Sequence, residues 1–170
     1  MEPKDKNHAV TVGEMMAFRD MRAELQRAML NVHNLPVISF GMNIPGEIKT
    51  DERIRRAFDE GLKVLKSRLG SDGYGTMEER ERHEAAGDEW IAAVKAPAEA
   101  LKEIATSIEE EHPLGRLFDM DVLDENGSKL SRAVPRRCLI CDEEASVCAR
   151  SRKHDLTQLK NAVDLILNGI

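Results

Sequence analysis

The middle of this chain switches between two hydrophobic periods, and the order of the switches leaves few folds open. Over residues 37–44 the side chains alternate, with Ile38, Phe40, Met42 and Ile44 on one side and Ser39, Gly41 and Asn43 on the other. That is the period-two pattern of a strand with one buried face. Pro45-Gly46 turns the chain. Over residues 51–69 the spacing becomes three and four, so Ile54, Phe58, Leu62, Leu65 and Leu69 form one inward helical stripe, stopped by Gly70. Residues 74–90 follow an Asp72-Gly73 turn signal and are heavily charged, so Glu78 to Glu84 suits a helix or a solvated strand. The reading adopted is a strand, a turn at Ala86-Gly87-Asp88 and a second strand over residues 89–94. Pro97 opens a helix with Leu101, Ile104, Ala105 and Ile108 inward, ending before Pro113. A last short strand lies within residues 114–122. Strand, helix, strand, strand, helix, strand is the split βαβ order of ferredoxin-like folds. The predicted fold class is therefore α+β, an antiparallel sheet with helices on one face and the other face open. A helix over residues 11–34 precedes it, opened by the capping-box spacing of Thr11 and Glu14, with Met15, Phe18, Leu25, Met29 and Val32 as its apolar stripe. A single domain is expected over residues 1–170, with residues 1–10 disordered and residues 135–170 an appendage of a Cys/His segment and a terminal helix.

The last strand carries the chemistry. Phe118, Met120 and Val122 leave on one side, Asp119 and Asp121 on the other, the two carboxylates roughly 6–7 Å apart along the strand. Paired carboxylates repel unless a cation sits between them, and carboxylates with substrate phosphates are a usual way to hold Mg²⁺. Palm-type nucleotidyltransferases carry metal carboxylates on the open face of such a sheet, a fold-level analogy only. The plain alternative is an exposed edge strand with a polar face.

Downstream, Cys138, Cys141, Cys148 and His154 fall within 17 residues. Three thiols and an imidazole suit tetrahedral Zn²⁺, and with all four positions filled the site is structural. The alternative is three idle thiols in a reducing compartment. The net charge is −6, yet residues 129–153 hold seven Lys or Arg against three acids, a local +4 that leaves −10 on the rest. Such a chain is a poor general nucleic-acid binder but suits one compact polyanion. No apolar run approaches 18 residues, and Met-Glu-Pro-Lys-Asp-Lys-Asn lacks a signal-peptide core, so no membrane contact and a cytoplasmic location are expected. His8, His33, His83 and His112 show no evident partners and read as surface or structural groups.

Several blocks, taken in order, resemble the holo-citrate lyase synthase (apo-citrate lyase phosphoribosyl-dephospho-CoA transferase) family. They are Phe18-Arg-Asp-Met-Arg22 with Gln26, Ile38-Ser-Phe-Gly-Met-Asn-Ile-Pro-Gly-Glu-Ile-Lys49, Gly115-Arg-Leu-Phe-Asp-Met-Asp-Val122, Leu130-Ser-Arg132, Arg136-Arg-Cys-Leu-Ile-Cys141 and Cys148-Ala-Arg-Ser-Arg-Lys-His154. The resemblance implies transfer of a phosphoribosyl-dephospho-CoA group from its triphosphoribosyl precursor to a serine of the citrate lyase acyl carrier (gamma) subunit, with release of pyrophosphate. It makes Asp119 and Asp121 the catalytic, Mg²⁺-holding pair. It makes Arg116, Arg132, Arg136 and Arg137 phosphate forks, although Arg116 alternates off the Asp119 face; the plain alternative for Arg132, Arg136 and Arg137 is pairing with the acidic helix face at Glu109 to Glu111. It also raises Arg19, Arg22, Gln26, Asn43 and Lys49 to substrate contacts; without it, Arg19, Arg22 and Gln26 read as a solvated helix face. Two other classes stay open: another palm-type nucleotidyltransferase using ordinary nucleoside triphosphates, and a zinc-knuckle binding module. The low aromatic content weighs against the second.

Overall fold

The computed structural model describes residues 8–169. Helix α1 (Val12–His33) starts where the sequence says it should. The Thr11 hydroxyl accepts from the Glu14 N–H at 3.2 Å, and the Glu14 carboxylate accepts from the Thr11 N–H at 2.9 Å. Residues 1–7 of the stretch expected to be disordered lie outside the described residues; Val10 donates its N–H to Glu47 O at 2.8 Å. Strand β1 (Val37–Met42) is followed by α2 (Glu52–Ser71), capped by Asp51, which accepts from the N–H groups of Arg53 and Ile54. A hairpin of β2 (Gly75–Glu84) and β3 (Gly87–Lys95) leads to α3 (Ala98–Glu111). A single 3₁₀ turn (Gly115–Leu117) delivers β4 (Phe118–Leu123), and α4 (Ala145–Ser151) and α5 (Leu156–Leu167) close the chain.

The sheet order is β2-β3-β1-β4 with every neighbouring pair antiparallel, which is the split βαβ topology predicted. Boundaries shift in three places. Strand β1 stops at Met42 because the Asn43 N–H leaves the ladder for Leu117 O and Pro45 has no N–H to give. Helix α2 runs through Gly70 to Ser71, and the chain reverses at Gly73, whose φ is +76°. The hairpin turns at Ala85-Ala86, ahead of Gly87 (φ +143°). The charged run of β2 is a strand because β3 beside it is buried almost throughout and presents a full ladder. As an edge strand, β2 gains from charges that discourage further pairing.

Register divides the side chains cleanly. Phe40 stands between Trp90 and Met120, and Ile38 between Ala92 and Val122. These residues meet α2, α3 and the end of α5, through Val163 and Leu167, in the main core. Phe40 stacks on Phe58 at 5.0 Å and meets Phe118 edge-on at 5.2 Å. This packing requires Gly61, where an added Cβ would lie 2.6 Å from Phe118 and 2.7 Å from Phe40.

The other face is only partly open. Met29 of α1, with Leu25 and Leu30, packs on Val37, Ile91 and Ala93. Helices α2 and α3 thus share one face as predicted, while α1 covers the β1–β3 half of the second. The stripe that α1 lays on the sheet is Phe18, Arg22, Leu25, Gln26 and Met29, at helical spacing. Val32, expected inward, is 72% exposed. The sheet surface beneath α1 carries Ser39, Gly41 and Glu89, so the helix side that fits it is itself partly polar.

Candidate active site

Strand β4 alternates as its sequence requires. Phe118, Met120 and Val122 are buried, Asp119 is exposed and Asp121 half-buried. Across the ladder, Asp119 pairs with Gly41 and Asp121 with Ser39. The Asp119 carboxylate has no hydrogen-bond or ion-pair partner among the described residues, while the half-buried Asp121 meets the exposed Lys129 at 2.9 Å. Gly41 leaves bare backbone beside Asp119. A Cβ there would meet only Asp88 O at 3.6 Å and Arg22 Nη2 at 4.0 Å, both ordinary contacts, so packing does not demand a glycine.

Two of the residues raised by resemblance, Arg22 and Gln26, face this spot. Arg22 donates from Nε to Glu89 at 2.5 Å, and Gln26 donates to the Ser39 hydroxyl at 2.9 Å. Glu89 is fully buried and also takes Arg82, whose guanidinium lies 4.3 Å from the Phe18 ring centre. A buried carboxylate under two guanidiniums sets the direction of Arg22. Lys49 donates to Ile44 O at 2.7 Å. Burial, and then the positive charge of Arg19 close by, push its ammonium below the usual lysine range. Arg19 and Lys49 therefore form a cationic margin. An anion that neutralised one would relieve the other.

The four arginines of the later blocks divide differently. Arg132 and Arg136 converge on Glu109, at 3.7 Å and 3.0 Å, and Arg132 also reaches Glu110 at 2.9 Å. Glu109 is buried near the C-terminal end of α3, where cations are favoured by the helix dipole. Burial pushes its carboxyl above the usual range, and Arg136 is the main influence opposing that shift. Glu109 also accepts the Met120 N–H at 2.8 Å, and Arg136 donates to Phe118 O. The Met120 N–H and the Phe118 carbonyl thus find partners in side chains, and the acid-bearing strand is held rigidly. Arg132 and Arg136 thus take the acidic face of α3 at Glu109 to Glu111, the plain alternative to phosphate for these arginines, while Arg137 does not. Arg116 donates to the carbonyls of Arg137 and Cys138 and so ties the Cys/His segment to the entry of β4. Arg137 is 65% exposed, with only a long contact of 3.7 Å to Asp142.

The Cys/His residues do come together. One ligand atom each from Cys138, Cys141, Cys148 and His154 lies within 4.8 Å of the others, with Cys141 Sγ 3.4 Å from both Cys148 Sγ and His154 Nε2. Zn–S bonds of about 2.3 Å would set sulfurs about 3.8 Å apart in a tetrahedral shell, close to this spacing. Burial, then the Cys141 and Cys138 sulfurs, push Cys148 up to about 12. Burial also opposes ionisation of Cys138, but the N–H groups of Ile140 and Cys141 outweigh it and hold that thiol below the usual range. A set of soft donors gathered this closely can hold a metal ion. The other histidines have partners after all: His8 meets Glu14, His33 meets Glu78, His83 bridges Asp88 and Glu81, and His112 accepts from the Leu114 N–H.

Beside the cluster lies a pocket of about 400 Å³ that takes in Asn43, Arg116, Arg136 and Arg137 from the expected substrate contacts. Arg132 is not among its lining. Comparison with known proteins bears on the whole arrangement. The family model described as apo-citrate lyase phosphoribosyl-dephospho-CoA transferase matches residues 10–169. The chain belongs to this family. A curated relative of that name from Escherichia coli O7:K1 (strain IAI39 / ExPEC) is 40% identical over 168 residues, covering 96% of this chain and 92% of its own. Another from Shigella boydii serotype 18 (strain CDC 3083-94 / BS512) is 39% identical over the same span. Membership in the apo-citrate lyase phosphoribosyl-dephospho-CoA transferase family thus extends from the capped start of α1 to the end of α5, including both the acid face and the Cys/His cluster. Among the described residues no helix is long and apolar enough to cross a membrane.

Proposed function

We propose that this chain attaches the phosphoribosyl-dephospho-CoA prosthetic group to apo-citrate lyase. The match to that family over nearly the whole chain carries the reading, and the accessible carboxylate pair of β4 supports it. The donor is triphosphoribosyl-dephospho-CoA and the acceptor a serine hydroxyl on the lyase's acyl carrier (gamma) subunit. The serine oxygen forms a bond to the phosphorus nearest the ribose as that phosphorus loses its bond to the outer two phosphates. Pyrophosphate leaves, the serine proton passes to one of the two Asp carboxylates or to water, and a phosphodiester remains.

Asp119 and Asp121 are the residues that would hold Mg²⁺, which when bound would offset the triphosphate charge. Two hard carboxylates on one face, one of them unpaired, are a donor set that suits this ion. Arg22, aimed by Glu89, and the Arg19–Lys49 margin meet the departing phosphates, and Gln26 keeps the Ser39 side chain oriented beneath them. Arg116 and Arg137 contact the donor from the far side. Arg132 and Arg136 act mainly through Glu109, by holding β4 in place. Cys138, Cys141, Cys148 and His154 hold one structural Zn²⁺; with four protein ligands no position is open for chemistry. The chain works as a single transferase domain. Three unpaired cysteines kept as metal ligands suit a reducing cytoplasm.

The test is intact-mass analysis of the apo carrier subunit incubated with the protein, triphosphoribosyl-dephospho-CoA and Mg²⁺. A gain of one phosphoribosyl-dephospho-CoA group with matching pyrophosphate release is the expected result. No gain with this donor, and a nucleotide-sized gain with ordinary nucleoside triphosphates, would point to a different nucleotidyltransferase.

A further inference from the structure

The pocket beside the Cys/His cluster has a chemistry of its own. Four arginines line it, Arg116, Arg136, Arg137 and Arg152, and not one carboxylate. Its apolar wall comes from Pro45 after β1, Leu139, Ala149 of α4 and Leu159 of α5. At about 400 Å³ it falls within the size range of small-molecule sites. Arg116 and Arg136 are anchored on backbone carbonyls and Glu109, so their guanidiniums are pre-positioned. Arg137 is largely exposed, and Arg152 has no ion pair among the described residues. Arg152 also sits in the left-handed region, φ +50°, where the chain leaves α4. An apolar slot ringed by guanidinium planes favours a flat ring that bears phosphate groups, since arginine can both stack and fork.

We propose that this pocket binds the dephospho-CoA part of the donor, its adenine against the apolar wall and its pyrophosphate on the arginines. The inference rests on the function proposed above and adds a second subsite to it. Asn43 joins the two. It lines the pocket, and it follows Gly41, the strand partner of Asp119, by two residues, about 7 Å of extended chain. A donor with its triphosphate at the acids can cross that margin and seat its nucleotide beyond it. The pocket then serves as a specificity device, because an ordinary nucleoside triphosphate fills only one of the two places. Cys138, Cys148 and His154 form part of the lining, so the cluster also shapes the site.

Calorimetric titration of the full chain with two probes separates the subsites: dephospho-CoA alone, and tripolyphosphate with Mg²⁺. Dephospho-CoA is expected to bind the wild type. Ala149→Trp, which fills the slot, and Arg152→Gln should each weaken it roughly tenfold or more, the scale of one charge-assisted hydrogen bond, and leave tripolyphosphate within about twofold. Arg137→Gln provides a third variant at an exposed position where folding is not at issue, and circular dichroism checks all three. Dephospho-CoA affinity unchanged across the folded variants, or no binding to the wild type, overturns the pocket assignment. If carrier modification succeeds and the pocket variants bind unchanged, only this assignment falls. If the variants lose dephospho-CoA and the carrier is never modified, the pocket stands and the transfer reading falls.

Discussion

Replacing Gly41 by alanine should move stability and activity in opposite directions. Gly41 lies inside β1 with ordinary strand geometry, and an added methyl meets nothing nearer than 3.6 Å. The substitution therefore costs no packing and removes freedom from the unfolded chain, a gain of about 0.5–1 kcal/mol. For a domain of this size that corresponds to a melting temperature about 1–4 °C higher. The same methyl stands beside Asp119 and under Arg22, where the donor's phosphates are proposed to approach the backbone. Overfilling a close contact costs about 1–3 kcal/mol, so kcat/KM for the donor should drop about 5- to 150-fold. Thermal unfolding and steady-state transfer to the carrier subunit, measured on the same preparation, read both quantities. Gly70→Ala is the control. It lies in α2 with no atom within 4 Å of the new methyl, so it should gain stability and leave activity alone. A Gly41→Ala protein with wild-type kcat/KM would show that no ligand approaches the backbone there.

Cys141→Ser removes the sulfur that touches both Cys148 and His154. It should lower the bound zinc measured by elemental analysis and loosen the segment from Arg136 to His154 in hydrogen exchange; full zinc content in the variant would take Cys141 out of the ligand set. Glu109→Gln keeps an acceptor for the Met120 N–H but leaves the Arg136 guanidinium, 23% exposed, without its carboxylate, and Arg132 with Glu110 alone. Breaking such a pair should cost roughly 3 kcal/mol in urea unfolding, and an unchanged midpoint would refute the anchoring role. Glu14 makes a pH prediction. The Thr11 N–H, with help from His8, lowers its carboxyl from 4.5 to about 2. A lowered folded pKa gives stability that is present above 4.5 and is lost as pH falls towards 2. The stability difference between wild type and Glu14→Gln should therefore shrink over that window, and a difference that stays constant would remove the capping box from acid unfolding.

Local physics made much of this fold legible. The Thr11–Glu14 box, the helix start at Asp51, the two amphipathic helices and the alternation of Phe118, Met120 and Val122 against two acids are all short-range patterns, and the strand–helix order followed from them. The site was less legible where partners lie far apart in sequence. Arg22 and Gln26 looked solvated because an apolar stripe was assumed to face the sheet, but the face they meet carries Ser39 and Glu89. The pairing of Arg132 and Arg136 with the acidic end of α3 stood as an alternative in the sequence, but no spacing rule anticipates that Glu109 also takes a β4 amide. Helix α4 is only seven residues long and has no side-chain cap, so it left no periodic signal. The arginine pocket draws its lining from residue 43 to residue 159, and only the closed fold brings these together.

The central claim is that the two acids of β4 act together on the donor's triphosphate. The direct measurement is the single-turnover rate of pyrophosphate release at saturating donor and carrier, as Mg²⁺ is varied, for wild type, Asp119→Asn and Asp121→Asn. Both substitutions leave the buried side of β4 untouched, so the proteins should fold. Each variant is predicted to lose on the order of 100-fold or more at every Mg²⁺ concentration, and chelation should bring the wild type to the same low rate. Release within about threefold of wild type from either variant, less than a single lost electrostatic contact is normally worth, would contradict the claim and move the reaction away from this face.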